Sequence, residues 1–356
     1  MPIEKSALIA YPSNIINHKY YHSLNGLRGL SIILVVAFHL GYTLSNIFNG
    51  GLGVNIFFVL SGFLITTICI KEINLTSTLS LNGFYYRRFL RIFPVAYLYL
   101  TVILILNFIL ILNIPWYQFA AGYLYILNFS YFRSHGFVPY FGHYWSLSVE
   151  EQFYLIFPLL LKINRKLFVL SIMFIVLVLP LLCLLQYLYE PLNQGVLYMF
   201  THYFIKFQAI AVGCLFSVLT IHKAFDNLYL SKTKVPGNIA AIFLIFYLGY
   251  DSFYSIKSVY INCLISVLTG YIIVSNLATS KDIIFRILNF KPLVFIGKLS
   301  YSIYIWHVIF TVNDPRFPKF MSIFPFNLIG IIVVSCLSYY CYERYFLKFK
   351  NRYKRI

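Results

Sequence analysis

Two ionisable residues, Arg28 and His39, interrupt the first long apolar stretch of the chain, eleven residues apart. At 100° per residue, eleven steps return to within about 20° of the starting direction, so a helix carries both on one face. The rise between them is roughly 16 Å, about half of a hydrocarbon core. A helix of this kind sets a cation at a membrane mouth and an imidazole near the midplane. Ionisable groups at such depth are costly and usually functional. The pair suits a reagent gripped by its charge at the surface and reacted in the interior. An imidazole is also the natural base for a hydroxyl. The plainer alternative is a packed histidine bonded to a neighbouring helix.

Other residues have spacings that fit the same chemistry. Arg87, Arg88 and Arg91 stand three and four apart and suit a polyphosphate, although positive charge beside a membrane segment needs no ligand. Glu150 and Tyr154 are four apart and share a face; Glu150 and Glu151 also fit a helix N-terminus. Ser300, Tyr304 and His307 recur at i, i+4 and i+7, as an acceptor-side wall with oxyanion donors or as polar glue between helices. Trp145 and Ser146 suit a sugar ring, or an aromatic belt. Glu343, beside Arg344, is expected to be either a functional acid or an interfacial ion pair.

The elements that must hold these residues are membrane helices. The chain of 356 residues is 60% hydrophobic and 11% charged, with mean hydropathy +0.79. No soluble domain of that length needs so much apolar area. The expected fold is all-α and polytopic, with ten spans near 24–43, 51–70, 92–112, 149–161, 168–188, 200–220, 238–253, 259–277, 299–312 and 324–345. With the N-terminus inside, twenty-three of the 28 Lys and Arg fall on the cytoplasmic side, both termini included. The net charge of +18 is therefore read as topology, and no nucleic-acid partner is expected. Residues 113–148 hold an apolar run too short to cross easily, and are expected to dip into the outer side or lie on it. Six cysteines in or beside apolar runs form no C-x-x-C pair, so neither a metal nor a disulfide framework is expected. The whole of 1–356 reads as one membrane domain, with 1–22 as a cytoplasmic N-terminal segment and 346–356 as a basic cytoplasmic tail. The first twenty-two residues do not resemble a cleavable signal peptide.

Five segments together resemble the acyltransferase-3 family of integral membrane acyltransferases. They are Gly26-Leu-Arg28 with His39 ten intervening residues on, Gly53-Val-Asn55 continuing to Ser61-Gly62-Phe63, and Arg87-Arg88-Phe-Leu-Arg91 ending at Pro94. The fourth is Trp145-Ser146 continuing to Glu150-Glu151-Gln152-Phe-Tyr154, and the fifth is Gly297-Lys-Leu-Ser300-Tyr301-Ser-Ile-Tyr304 ending at His307. They follow the family's order over nearly the whole chain. The resemblance implies acyl transfer from acyl-CoA, commonly acetyl-CoA as co-substrate, to a hydroxyl of a surface glycan. Family members often carry a further esterase-like domain; this chain reads as a stand-alone membrane part. One position departs from the pattern: the family's usual Gly-Val-Asp is Gly-Val-Asn55 here. Asparagine can hydrogen-bond an imidazole but cannot stabilise its charged form by charge. Glu150 is the expected substitute.

The reading that results is an O-acetyltransferase in the cytoplasmic (inner) membrane, acting on a surface polysaccharide such as lipopolysaccharide O-antigen. His39, Glu150 and Asn55 form the expected catalytic group. Arg28, Arg87, Arg88 and Arg91 are expected to hold acyl-CoA from the cytoplasmic side. Trp145, Ser146, Tyr154, Ser300, Tyr304 and His307 are expected to meet a lipid-linked or surface glycan from the outer side, with lipids around the whole. His39 serves as general base or carries the acyl group itself. Two other readings compete. A polytopic transporter of an anionic or glycan substrate should show inverted repeats, which the sequence lacks. A member that has lost catalysis has only Asn55 in its favour.

Overall fold

The computed structural model describes residues 21–41, 50–129, 131–132, 138–189, 195–225, 234–250, 257–278 and 282–349. Among them every regular element is helical. In chain order these are α1 (His22–His39), α2 (Gly50–Thr76), α3 (Leu81–Ile109), α4 (Trp116–Tyr123), α5 (Tyr144–Ile163) and α6 (Arg165–Leu188). There follow α7 (Gly195–Ile221), α8 (Lys234–Tyr250), α9 (Lys257–Ser275), α10 (Ile283–Leu288), α11 (Lys291–Phe310) and α12 (Phe326–Phe349). Polar caps set several starts. Ser80 accepts from Gly83 N at α3, Asn164 accepts from Lys166 N and Leu167 N at α6, and Asp282 accepts from Phe285 N at α10.

Six helices, α2, α3, α6, α7, α11 and α12, are long and apolar enough to cross a membrane. Helix stands over all ten expected stretches, yet the other four fall short of that standard. The apolar parts of α8 and α9 are shorter, and α1 and α5 carry the polar residues of the candidate site. The chain thus reads as a multi-pass membrane protein with six candidate crossings among the described residues. Residues 1–20 and 350–356 lie outside the described residues, as do Arg133 and Asp251.

Two local expectations need correction. His39 is the last residue of α1, not the middle of a span running to residue 43. The reason is Gly41, whose positive φ of 66° ends the helix in the left-handed conformation that glycine adopts without strain. At the other boundary, α5 starts at Tyr144, five residues before the expected 149. In the expected outer segment, α4 has eight residues, about 12 Å of helix, and cannot cross. It packs instead on α3, where Tyr97 Oη donates to the Tyr123 carbonyl.

The bundle is drawn together at motif glycines. A Cβ at Gly62 of α2 would lie 1.9 Å from the Ile210 carbonyl oxygen of α7, and one at Gly213 of α7 would lie 2.1 Å from that of Val59. The same close fit joins Gly26 of α1 to Leu288 of α10 and Gly297 of α11 to Asn25 of α1, each with an oxygen 1.8 Å from the added carbon. Small residues at these crossings let backbones touch. That contact fixes α1 between α2 and α11 and so sets the helices that carry Arg28, His39, Ser61, Ser300, Tyr304 and His307.

Candidate active site

Arg28 of α1 and Arg88 and Arg91 of α3 converge on one small cavity of about 90 Å³. Ser61 of α2, Ser146 and Glu150 of α5, and Ser300 and Tyr304 of α11 share its wall, with Phe57 and Phe58 as its apolar floor. Five helices separated by up to 276 residues in sequence therefore build one cationic pocket. Glu150 and Tyr154, one turn apart on α5, both bond the Ser61 hydroxyl and each other. Arg88 sits 4.9 Å over the Tyr154 ring, a cation–π contact that holds its guanidinium at the cavity edge. Glu150 thus joins the arginines to the hydroxyl network. A far larger apolar cleft, about 600 Å³ between α5, α6 and α7, is lined by residues such as Phe157, Phe174 and Phe204 and holds no titratable group. Its size gives it no chemistry.

A second cluster lies along α1 and α11 from the arginines. The rings of His39 and His307 meet edge to face with centroids 4.8 Å apart. They are built alike: His39 Nδ1 bonds the Val35 carbonyl at 2.8 Å, and His307 Nδ1 bonds the Tyr304 carbonyl at 2.7 Å. A neutral ring that donates through Nδ1 leaves Nε2 as the acceptor. His307 is fully buried and its Nε2 has no hydrogen-bond partner, whereas His39 lies at an open edge. Ser146 and Tyr304 connect the clusters. Their hydroxyls are 2.5 Å apart, and both donate to the carbonyl of His143, at 2.9 and 3.2 Å.

The residues singled out from sequence therefore divide. Arg28, Arg88, Arg91, Glu150, Ser146, Ser300 and Tyr304 line the cavity, and Tyr154 supports it. His39 and His307 form the imidazole pair. Ser300, Tyr304 and His307 do share one face of α11. Arg87 turns away, because its neighbour Arg88 occupies the cavity side and successive helical residues diverge by 100°. Its guanidinium pairs with fully buried Glu72 at 3.1 Å. Asn55 also faces elsewhere: its amide donates to the Asn262 carbonyl and accepts from Ser266, both on α9. Trp145 packs edge to face on Phe58 and lines a small recess with Gln118 and Phe132 of the outer segment. Glu343 is buried and accepts from Ser302 at 2.6 Å, within electrostatic reach of Arg91. It closes a π turn at Ser338–Glu343, a distortion often found at functional positions.

Sequence reasoning passed over His143 and gave Ser61 no role of its own. Ser61 had a signal, since it lies inside the second motif. His143 had almost none: it precedes α5, outside any helical period, and only its place two residues before Trp145 hinted at it. Among the described residues, no group of three His, Cys, Asp or Glu is placed to hold a metal.

Beyond the imidazoles, a polar staple ties three loops. Asp314 pairs with Arg316 and accepts from Tyr140 Oη at 2.7 Å, and Arg316 donates to the Ile111 carbonyl at 2.8 Å. The Arg316 hydrogen bond, ahead of that from Tyr140, holds the Asp314 carboxyl well below the ordinary carboxylate range.

The helical, apolar architecture thus brings a cationic pocket and a pair of imidazoles to the same pair of helices, α1 and α11. The sequence profile of the acyltransferase-domain family, acyltransferase-3, matches residues 21–343. The chain belongs to that acyltransferase family, as its five motifs led us to expect. It is 31% identical over 322 residues to the peptidoglycan O-acetyltransferase OatA of Listeria monocytogenes, covering 84% of this chain and 51% of that protein. It is 30% identical over 321 residues to the O-acetyltransferase OatA of Staphylococcus aureus, covering 83% and 52%. The chain thus spans about half the length of the curated relatives it matches. No solved structure matches it.

Proposed function

We propose that this chain is a membrane O-acetyltransferase, moving acetyl from acetyl-CoA to a hydroxyl of a cell-envelope glycan. The observation that carries the reading is the placement of two clusters on the α1–α11 pair. Three arginines surround one cavity, and two imidazoles face each other about 16 Å further along α1. A coenzyme A donor has this shape, with charged phosphates at one end and a thioester at the end of a thin arm. Arg28, Arg88 and Arg91 bind the phosphates, and Glu150 keeps the cluster from excess positive charge. Arg87 contributes through Glu72, by holding the start of α3.

His39 Nε2 takes the proton of the acceptor hydroxyl as oxygen attacks the thioester carbonyl. Its Nδ1–H stays on Val35, which fixes the tautomer. Ser146 and Tyr304, which link the cavity to the imidazoles, turn their hydroxyls from the His143 carbonyl to the oxyanion, and Ser300 lines the donor's path between the two ends. Trp145 and its recess receive the sugar. Asn55 acts from a distance, by seating α2 on α9. The donor enters from the cytoplasm and the acceptor from the outer face of an inner membrane crossed ten times, with both termini cytoplasmic.

The relatives' names point to peptidoglycan as the first acceptor to test, and lipopolysaccharide O-antigen is the alternative that the sequence suggested. The test compares ester-linked acetyl in both glycans from cells holding wild type, His39→Ala or no gene, at matched membrane levels. Acetyl that appears with wild type alone supports the reading, and the fraction that carries it names the acceptor. Equal acetyl with wild type and His39→Ala removes His39 from the mechanism. No acetyl in either fraction sinks the proposal.

A further inference from the structure

We propose that the apolar cleft between α5, α6 and α7 holds one chain of an anionic phospholipid, whose phosphate is gripped at the turn from α5 to α6. The cleft shares no lining residue with the arginine cavity, so this inference stands apart from the acyltransferase reading. Its volume is about 600 Å³, and its walls include Leu160 of α5, Leu170, Phe174 and Val178 of α6, and Phe200 and Phe204 of α7. Ser171 is the one polar residue among those that line it. Prolines stand beside it on two of the helices. Pro158 of α5 and Pro180 of α6 have no N–H to give to the preceding turn, and each crowds the carbonyl four residues back. In α6 the ladder loosens into a π turn over Phe174–Val178, just before Pro180, and that turn forms much of the cleft wall.

Charge at one end decides what fills the cleft. Lys166 stands four residues before Leu170, hence on the same face of α6 and about 6 Å nearer the turn. Arg165 precedes it, and Lys162 follows Leu160 of the opposite wall by two residues. All three cations are exposed and, among the described residues, form no ion pair. No Asp or Glu occurs in α5 after Glu151, or anywhere in α6 or α7. The start of α6 places the positive end of its dipole at the same point. An apolar slot therefore opens beneath a cationic rim that no protein carboxylate neutralises.

An anionic phospholipid matches both features. A glycan would meet no polar wall, and a zwitterionic lipid would bring a cation of its own to the three already there. Basic sites between helices at the cytoplasmic surface receive anionic headgroups, and the orientation proposed above puts this turn on that side. A lipid chain gains only packing when it leaves its neighbours for the cleft. Selectivity must therefore come from the headgroup, at about fivefold for each cation near the surface.

Retained lipid reads the site directly. The full chain would be placed in vesicles of equal parts phosphatidylglycerol and phosphatidylcholine with identical chains, extracted in a mild neutral detergent, and its bound lipid counted by mass spectrometry. Wild type should retain phosphatidylglycerol about tenfold or more over phosphatidylcholine. Arg165→Gln with Lys166→Gln should bring that ratio to about threefold or less. Ser171→Trp, which fills the cleft, should remove most of the retained phosphatidylglycerol, with thermal unfolding to show that each variant is folded. Dihexanoyl phosphatidylglycerol tests the cleft without any substitution. Its short chains should displace the bound lipid from wild type about tenfold less well than long-chain phosphatidylglycerol does. Equal retention of the two lipids, an unchanged ratio in the double variant, or short chains that compete as well as long ones would overturn the assignment.

Discussion

The two ends of the site differ in how completely their polar atoms are satisfied. At the cavity, Glu150, Ser61 and Tyr154 close on one another, and Arg88 rests on the Tyr154 ring. At the imidazoles, His307 keeps its Nε2 without a hydrogen-bond partner in a buried setting. A satisfied network is rigid and suits binding of a ground state, because its donors are placed before the ligand arrives. Open valences cost stability and suit groups that change partners during a reaction. On the proposed function, the cavity end holds the donor and the imidazole end reacts.

The contrast is broken most severely at the reacting end. His39→Ala should lower transfer by about 1,000-fold or more while the protein stays folded and in the membrane, measured as acetyl-CoA turnover in vesicles. An unchanged rate would move the reaction away from α1. The next effect belongs to the holding end. Arg28→Gln, Arg88→Gln and Arg91→Gln should each raise KM for acetyl-CoA about 10- to 100-fold, with kcat nearly kept and the deficit growing with salt. If kcat falls and KM stays, these arginines act in the transition state and the division of labour is false.

Arg87→Ala sharpens the comparison within one motif. It strands the buried Glu72 carboxylate, so stability should fall by about 3 kcal/mol while KM for acetyl-CoA changes little in the folded fraction. Thermal unfolding in detergent, beside KM, separates the two. A KM change like that of Arg91→Gln would return Arg87 to the donor site. The smallest effect is expected at the loop staple. Asp314→Asn should lower the thermal midpoint by on the order of 1 °C. Because its partners lower the Asp314 pKa, this contribution is present above the ordinary carboxylate range and is lost as pH falls through the depressed value. Wild type and variant should therefore differ at pH 7 and converge in strong acid.

How much of this could be read in the sequence follows from the range of each interaction. Periodicity sees neighbours on one helix, and it put Arg28 with His39 and Ser300 with Tyr304 and His307. Glycines and caps are local as well: Gly41 marked the end of α1, had it been weighed as a helix stop. Partners across the bundle are invisible to it. Arg87 meets Glu72 fifteen residues back, and Asn55 meets Ser266 across 211 residues, so both looked like site residues and face other helices. His143 fails for the opposite reason. It belongs to no periodic face, and only the folding of α3, α5 and α11 around it brings it to His307.

Binding and transfer measured on the same vesicles test the central claim most directly. Radiolabelled acetyl-CoA would be titrated onto wild type, His39→Ala and Arg28→Gln, and single-turnover transfer to chitotetraose followed on each. The expected result is that His39→Ala binds acetyl-CoA as wild type does and transfers nothing, whereas Arg28→Gln binds weakly and transfers what it binds. Loss of binding in His39→Ala, or full binding without transfer in Arg28→Gln, would contradict the separation of a holding end from a reacting one.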